Sequence, residues 1–159
     1  EPICYNRSVE KDPRVAYPFG YGLSYTTFEY SNIKAEKSVA TDAEKISISV
    51  DVKNTGNFAG DEVVELYLSP ADGNKNIRPI QLQGFARVTL NPNETKTVTF
   101  EMAPSQFGYY SDNHWVIDSG KYTIKIGASS QDIRQSEEIE MTGEQKILDL
   151  RTKYFAEVK

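Results

Sequence analysis

Apolar and polar residues alternate with a period of two through most of the chain. Ile46, Ile48, Val50 and Val52 alternate with Ser47, Ser49, Asp51 and Lys53, the pattern of a half-buried strand. Asn54-Thr55-Gly56-Asn57 predicts a turn after it. A second strand runs from Asp61 to Ser69, with Val64, Leu66 and Leu68 on one face and Val63, Glu65 and Tyr67 on the other. Pro70 to Asn76 reads as a loop. Ile80 to Leu90 is extended, and Gly84 within it marks a candidate bulge. Asn91-Pro92-Asn93-Glu94 is a turn, and Thr95 to Met102 then turns Val98, Phe100 and Met102 inward. Trp115 to Ile117 forms a short strand; Tyr122, Ile124 and Ile126 supply the next inward face; Glu137 to Met141 closes the series. With the segment starting at Phe28, this predicts about eight strands with no helix between them, an antiparallel, immunoglobulin-like β-sandwich.

The two ends break the pattern. Residues 1–14 show no period. Tyr17-Pro18-Phe19-Gly20-Tyr21-Gly22-Leu23-Ser24-Tyr25-Thr26-Thr27-Phe28 sets five aromatics among two glycines and a proline. That composition suits neither helix nor regular strand, yet the rings need a surface to lie against. We therefore divide the chain into an aromatic arm (1–27), a sandwich (28–142) and a tail (143–159). In the tail, Ile147, Leu150, Tyr154 and Val158 fall at helical spacing, with Glu144 early and Lys153 and Lys159 late. This predicts a short amphipathic C-terminal helix over Glu144 to Lys159. An isolated helix of that length is marginal in water, so it is expected to dock or to lead to a further domain.

Composition narrows the partners. The chain has 159 residues and a net charge of −5. An acidic protein lacks the basic surface that non-specific nucleic-acid binding requires. No apolar run approaches the ~20 residues of a membrane-spanning helix. The start, Glu1-Pro2-Ile3-Cys4, lacks an initiator Met and the features of a signal peptide, so the chain reads as a piece of a longer protein, with its compartment left open. The single Cys4 has no internal disulfide partner and, with only His114 to activate it, reads as an inert thiol. One Cys and one His, far apart, predict no metal site, and no cofactor is expected.

No catalytic constellation stands out. Asp61-Glu62 and Glu137-Glu138 are adjacent carboxylates, but neighbours on a strand point to opposite faces and do not converge on one substrate. Gly20-Tyr21-Gly22 lacks the third glycine and the following helix of a dinucleotide fingerprint. Asp112, His114 and Asp118 flank Trp115, which reads as a core Trp or as a sugar platform.

One resemblance adds to this. Tyr17 to Thr26 resembles the segment that leads into the fibronectin type III-like domain of family 3 glycoside hydrolases, which include β-glucosidases and β-xylosidases. Val52-Lys53-Asn54-Thr55-Gly56 and Ala59-Gly60-Asp61-Glu62-Val63-Val64-Glu65-Leu66-Tyr67-Leu68 are similar to that domain's second and third strands. Arg78-Pro79 with Leu82 to Val88 resembles the following loop and strand, and Trp115-Val116-Ile117 with Gly120-Lys121-Tyr122 the late strands. In that family the nucleophile lies on a TIM-barrel domain and the acid–base residue usually on an α/β sandwich domain. Neither motif occurs here, so no catalytic residue is carried over.

The resemblance implies a parent enzyme that hydrolyses terminal β-linked glucose or xylose, and a non-catalytic role for this chain. Its first functional reading is an accessory domain. Tyr17, Pro18, Phe19, Tyr21, Leu23 and Tyr25, with Arg78, would dock on the TIM-barrel and α/β sandwich domains and stabilise them. The second reading is a carbohydrate-binding module that stacks an oligosaccharide on Tyr109, Tyr110 and Trp115, with Asp112 and Asn113 as hydrogen-bonding groups.

Overall fold

A computed structural model describes residues 15–70 and 80–159. Arg78, Cys4 and the loop after Pro70 lie outside the described residues.

The strands are β1 (Phe28–Ala35), β2 (Ser38–Ala40), β3 (Ile46–Asn54), β4 (Gly60–Pro70), β5 (Gln81–Leu90), β6 (Thr95–Met102), β7 (Tyr109–Ser111), β8 (His114–Ile117), β9 (Gly120–Ser129), β10 (Asp132–Thr142), β11 (Lys146–Leu148) and β12 (Glu157–Val158). A 3-10 turn, Pro104–Phe107, follows β6. Two main sheets have the orders β1-β3-β6-β12 and β2-β10-β9-β4-β5, and a small third sheet has the order β11-β8-β7. The chain is a β-sandwich, as the alternation predicts.

The alternation translates directly into the core. Ile46, Ile48, Val50 and Val52 are fully buried and pair across β3 and β6 with Met102, Phe100, Val98 and Lys96. Val64, Leu66 and Leu68 of β4 and Ile124 and Ile126 of β9 join the same cluster. Each such side chain is worth roughly 1.5–3 kcal/mol when fully buried. The bulge in β5 falls at Gln83, beside Gly84: Leu66 pairs with Gly84 and Tyr67 with Leu82, so Gln83 is the extra residue.

Strands below four residues escaped the pattern. β2 runs parallel to the end of β10, and β7 pairs with β8 through a two-residue turn. Asp112 and Asn113 occupy that turn at φ 48° and 64°, the left-handed values that a type I′ hairpin demands and that Asp and Asn tolerate.

The tail is not a helix. It runs extended, adding β11 to β8 and β12 to β6, and Ile147, Leu150, Tyr154 and Val158 are all exposed. Their helical spacing has no apolar surface to meet. The edges of β6 and β8 offer unpaired backbone groups instead, and pairing an edge satisfies them. Ala156 completes the fit: its amide donates to the Gln83 carbonyl over 2.6 Å, and a Cβ on Gly84 would lie 2.9 Å from its methyl.

A pinned aromatic arch and its cleft

The arm is irregular, as its glycines and proline predict, but it is tied to the sandwich at two places. The first tie is Phe19. Its ring packs with Leu82 and Ile133 around buried Tyr67 and Ile80, on the face of β4 turned away from the other sheet. Its carbonyl accepts the Ser130 amide over 2.9 Å. A turn follows at once, closed by Tyr21 N donating to Pro18 O at 3.1 Å. Gly20 holds its third position at φ 81°, where a type II turn takes glycine. A Cβ at Gly20 would also lie 2.3 Å from Oε2 of Glu65, so glycine is required by both conformation and space.

The second tie is Thr26. Its hydroxyl donates to Oδ1 of fully buried Asn54 at 2.7 Å. The Thr55 amide donates to the Thr27 carbonyl at 2.8 Å, and the Thr27 and Thr55 hydroxyls lie 2.9 Å apart. Between the ties the chain arches outward. Tyr21, Leu23 and Tyr25 are 50%, 89% and 99% exposed, and Tyr17 stacks on Tyr21 with ring centroids 4.9 Å apart. Pro18 is half-buried. Of the arm residues singled out in the sequence, Phe19 therefore faces the domain itself, and Tyr17, Tyr21, Leu23 and Tyr25 face solvent.

The arm explains a departure from simple alternation. Glu65 and Tyr67 stand on the outer face of β4, where period two predicts solvent, yet both are buried. Tyr67 donates its hydroxyl hydrogen to Oε2 of Glu65. Burial pushes the Glu65 carboxyl up, and the Tyr67 bond opposes that only in part.

A cleft of about 390 Å³ opens beside the arch, between Gly20–Phe28 and the ends of β4 and β10. Asp61, Glu62, Asp132 and Arg134 are its charged lining. Asp61 accepts from Arg87 Nε at 2.9 Å and from the Thr89 hydroxyl at 2.6 Å. Asp132 grips Arg134 with both oxygens, at 2.9 and 2.7 Å. Arg134 also donates to the Phe28 carbonyl and lies over the Tyr30 ring, 5.4 Å from its centroid. Glu62 accepts from the buried Tyr30 hydroxyl at 2.8 Å. Burial pushes the Glu62 carboxyl up, and it pushes the Tyr30 hydroxyl up too, with Glu62's charge adding to it. Asp61 and Glu62 thus line one cleft but are bound to different partners. Among the described residues, no group of three or more His, Cys, Asp and Glu could hold a metal.

The alternative stacking residues do not form one platform. Tyr110 and Trp115 pair across β7 and β8, and Tyr109 pairs with Val116, so Tyr109 lies on the other face. Its hydroxyl donates to Asp118 at 2.8 Å. Trp115 is half-buried on the small sheet, its Nε1 donates to the Ser105 carbonyl at 2.7 Å, and Arg151 covers its ring at 5.3 Å. Tyr110 alone of the three is exposed. His114 is exposed, with Nδ1 2.8 Å from the Asp112 carbonyl oxygen.

Comparison with known proteins agrees with the fold. Residues 62–130 match the family model described as a fibronectin type III-like domain. Thermostable beta-glucosidase B of Acetivibrio thermocellus is 43% identical over 133 residues, which are 82% of this chain and 18% of that protein. A putative beta-xylosidase of Formosa agariphila is 44% identical over 122 residues, 76% of this chain and 16% of its own length. The crystal structure of selenomethionine-labelled beta-glucosidase from Kluyveromyces marxianus superposes with a TM-score of 0.78 at 37% identity, covering 91% of this chain and 17% of that one. The chain therefore spans less than a fifth of each of these relatives. Taken with the sandwich topology and the arm that leads into it, these matches show a fibronectin type III-like domain, similar to the one that forms a small part of family 3 β-glucosidases and β-xylosidases.

Proposed function

We propose that this chain is a non-catalytic accessory domain whose arch seats against the TIM-barrel and α/β sandwich domains of its parent glycosidase and stabilises them. The parent hydrolyses terminal β-linked glucose or xylose, in line with the relatives' names. The arch carries the reading. Leu23 and Tyr25 stand almost wholly exposed on a segment tied down at Phe19 and Thr26, so their outward placement is built in rather than an effect of a loose end. Contiguous exposed apolar residues of this kind mark interaction surfaces, and a pre-ordered loop loses little entropy on docking.

The test compares this chain with the full-length enzyme that contains it. Leu23→Ser with Tyr25→Ser leaves the melting of the chain alone within about 0.5 kcal/mol, as exposed substitutions do, and lowers the melting temperature of the full-length enzyme. Equal melting of substituted and unsubstituted full-length enzyme removes the docking role. Turnover of aryl β-glucosides or β-xylosides by the rigorously purified chain removes the non-catalytic reading. Phe19→Ala is a poor probe, because Phe19 packs on the domain's own sheet.

A further inference from the structure

The charges of the cleft beside the arch do not balance. Asp61 is closed by Arg87 and Thr89, and Asp132 by Arg134. Arg134 places its hydrogen bonds on Asp132 and the Phe28 carbonyl, and none on Glu62. Glu62 is left. Tyr30 serves its Oε1, and among the described residues Oε2 has no hydrogen-bond or ion-pair partner. An ionised carboxylate accepts several donors, and this one is half-buried at the wall of an open cleft. Leu23 and Val63, both exposed, flank the same cleft. The surplus is negative, the one cation among the described residues lining the cleft is already paired with Asp132, and apolar walls stand beside it.

We propose that this cleft receives a basic side chain, a Lys or Arg of the parent's neighbouring catalytic domain, with the Glu62 carboxylate as its receptor and Leu23 and Val63 holding its aliphatic stem. The proposal rests on the docking reading above and names the chemistry of the partner. An arriving cation completes the coordination of Glu62, and the dock excludes water from a charge-assisted hydrogen bond. It also reverses the upward push that burial gives the Glu62 carboxyl. Long basic side chains suit such a seat because the stem packs while the head pairs.

Glu62→Gln keeps the shape and an acceptor for Tyr30 and removes the charge. In the full-length enzyme it is expected to lower the melting temperature by several degrees at low salt. The difference shrinks at about 0.5 M salt, where screening acts over a few ångströms. In this chain alone the same change leaves melting unchanged or raises it. An equal fall in the chain and the full-length enzyme, or no fall in the latter, overturns the proposal. Glu62→Lys provides a second reading, with a larger loss confined to the full-length enzyme; no added loss overturns it as well. If Leu23→Ser with Tyr25→Ser lowers full-length melting and Glu62→Gln does not, the arch docks without this ion pair and only the present inference falls. If cello- or xylo-oligosaccharides give binding heat with this chain that Glu62→Gln abolishes, the cleft is a sugar site and the inference is overturned.

Discussion

The Thr26 hydroxyl donates to Oδ1 of Asn54 over 2.7 Å, and Asn54 has no exposed surface. The same side-chain oxygen accepts the Gly56 amide at 3.0 Å, and Nδ2 donates to the carbonyls of Phe58 and Leu90 at 2.8 and 3.0 Å. One amide thus joins the arm, the β3–β4 loop and the end of β5. Asn54→Ala leaves these groups unmet in a buried setting. The expected loss is about 3 kcal/mol, since each stranded buried partner costs roughly 1–3 kcal/mol. Urea denaturation of the chain measures it, and a loss near zero shows that the arm is not held here.

Glu65 lies buried beneath Gly20, and burial pushes its carboxyl up. The folded state therefore holds this proton more tightly than the unfolded state. The contribution to stability is fully present below the ordinary Glu value, and is lost as pH rises through the raised folded value. Glu65→Gln, which still accepts from Tyr67, is expected to raise the melting temperature at pH 7 and to leave it nearly unchanged at about pH 4, near the ordinary Glu value. Asp61 and Asp132 shift the opposite way, but both proteins carry them, so the difference curve isolates Glu65. A variant that melts lower than the unsubstituted chain at pH 7 contradicts this sign.

Arg151 holds the tail. Its Nη2 donates to Gln83 Oε1 at 2.9 Å and to the Tyr154 carbonyl at 3.0 Å, and its Nε donates to the Lys153 carbonyl at 2.6 Å. Its guanidinium lies over the rings of Trp115 and Tyr154. Arg151→Ala is expected to cost about 1.5–3 kcal/mol, the usual range for hydrogen bonds to a charged group. The amides of Ala156 and Lys159, bonded to Gln83 and Thr99, then exchange faster, and those of Val50 and Ile126 keep their protection. Arg151→Lys does not restore the tail, because an ammonium cannot form the planar fork. Unchanged exchange at Ala156 shows that strand pairing alone retains it.

Much of this architecture is legible in the residues. Ile46 to Val52, Val64 to Leu68, Val98 to Met102 and Tyr122 to Ile126 alternate cleanly because a strand with one face in the core must. The arm is legible as an anomaly, since rings among glycines and a proline need a surface. Its inner and outer residues are not. Phe19 and Tyr21 look alike in sequence, and only the Gly20 turn sends one to Tyr67 and the other to solvent. Glu65 is invisible as a buried acid because alternation assigns it to solvent, and a segment about forty residues upstream covers it. The tail misleads for a related reason: β11 and β12 are too short to show a period, and their pairing belongs to the edges they meet.

Local alternation and turn chemistry by themselves determined the sandwich and the irregular arm, because burial of one strand face is a property of neighbouring residues. The tertiary structure alone decided which arm residues face outward, that Glu62 bonds to Tyr30 and to no cation among the described residues, and that the tail is extended. Those outcomes depend on contacts between residues distant along the chain, whose energies no local pattern encodes.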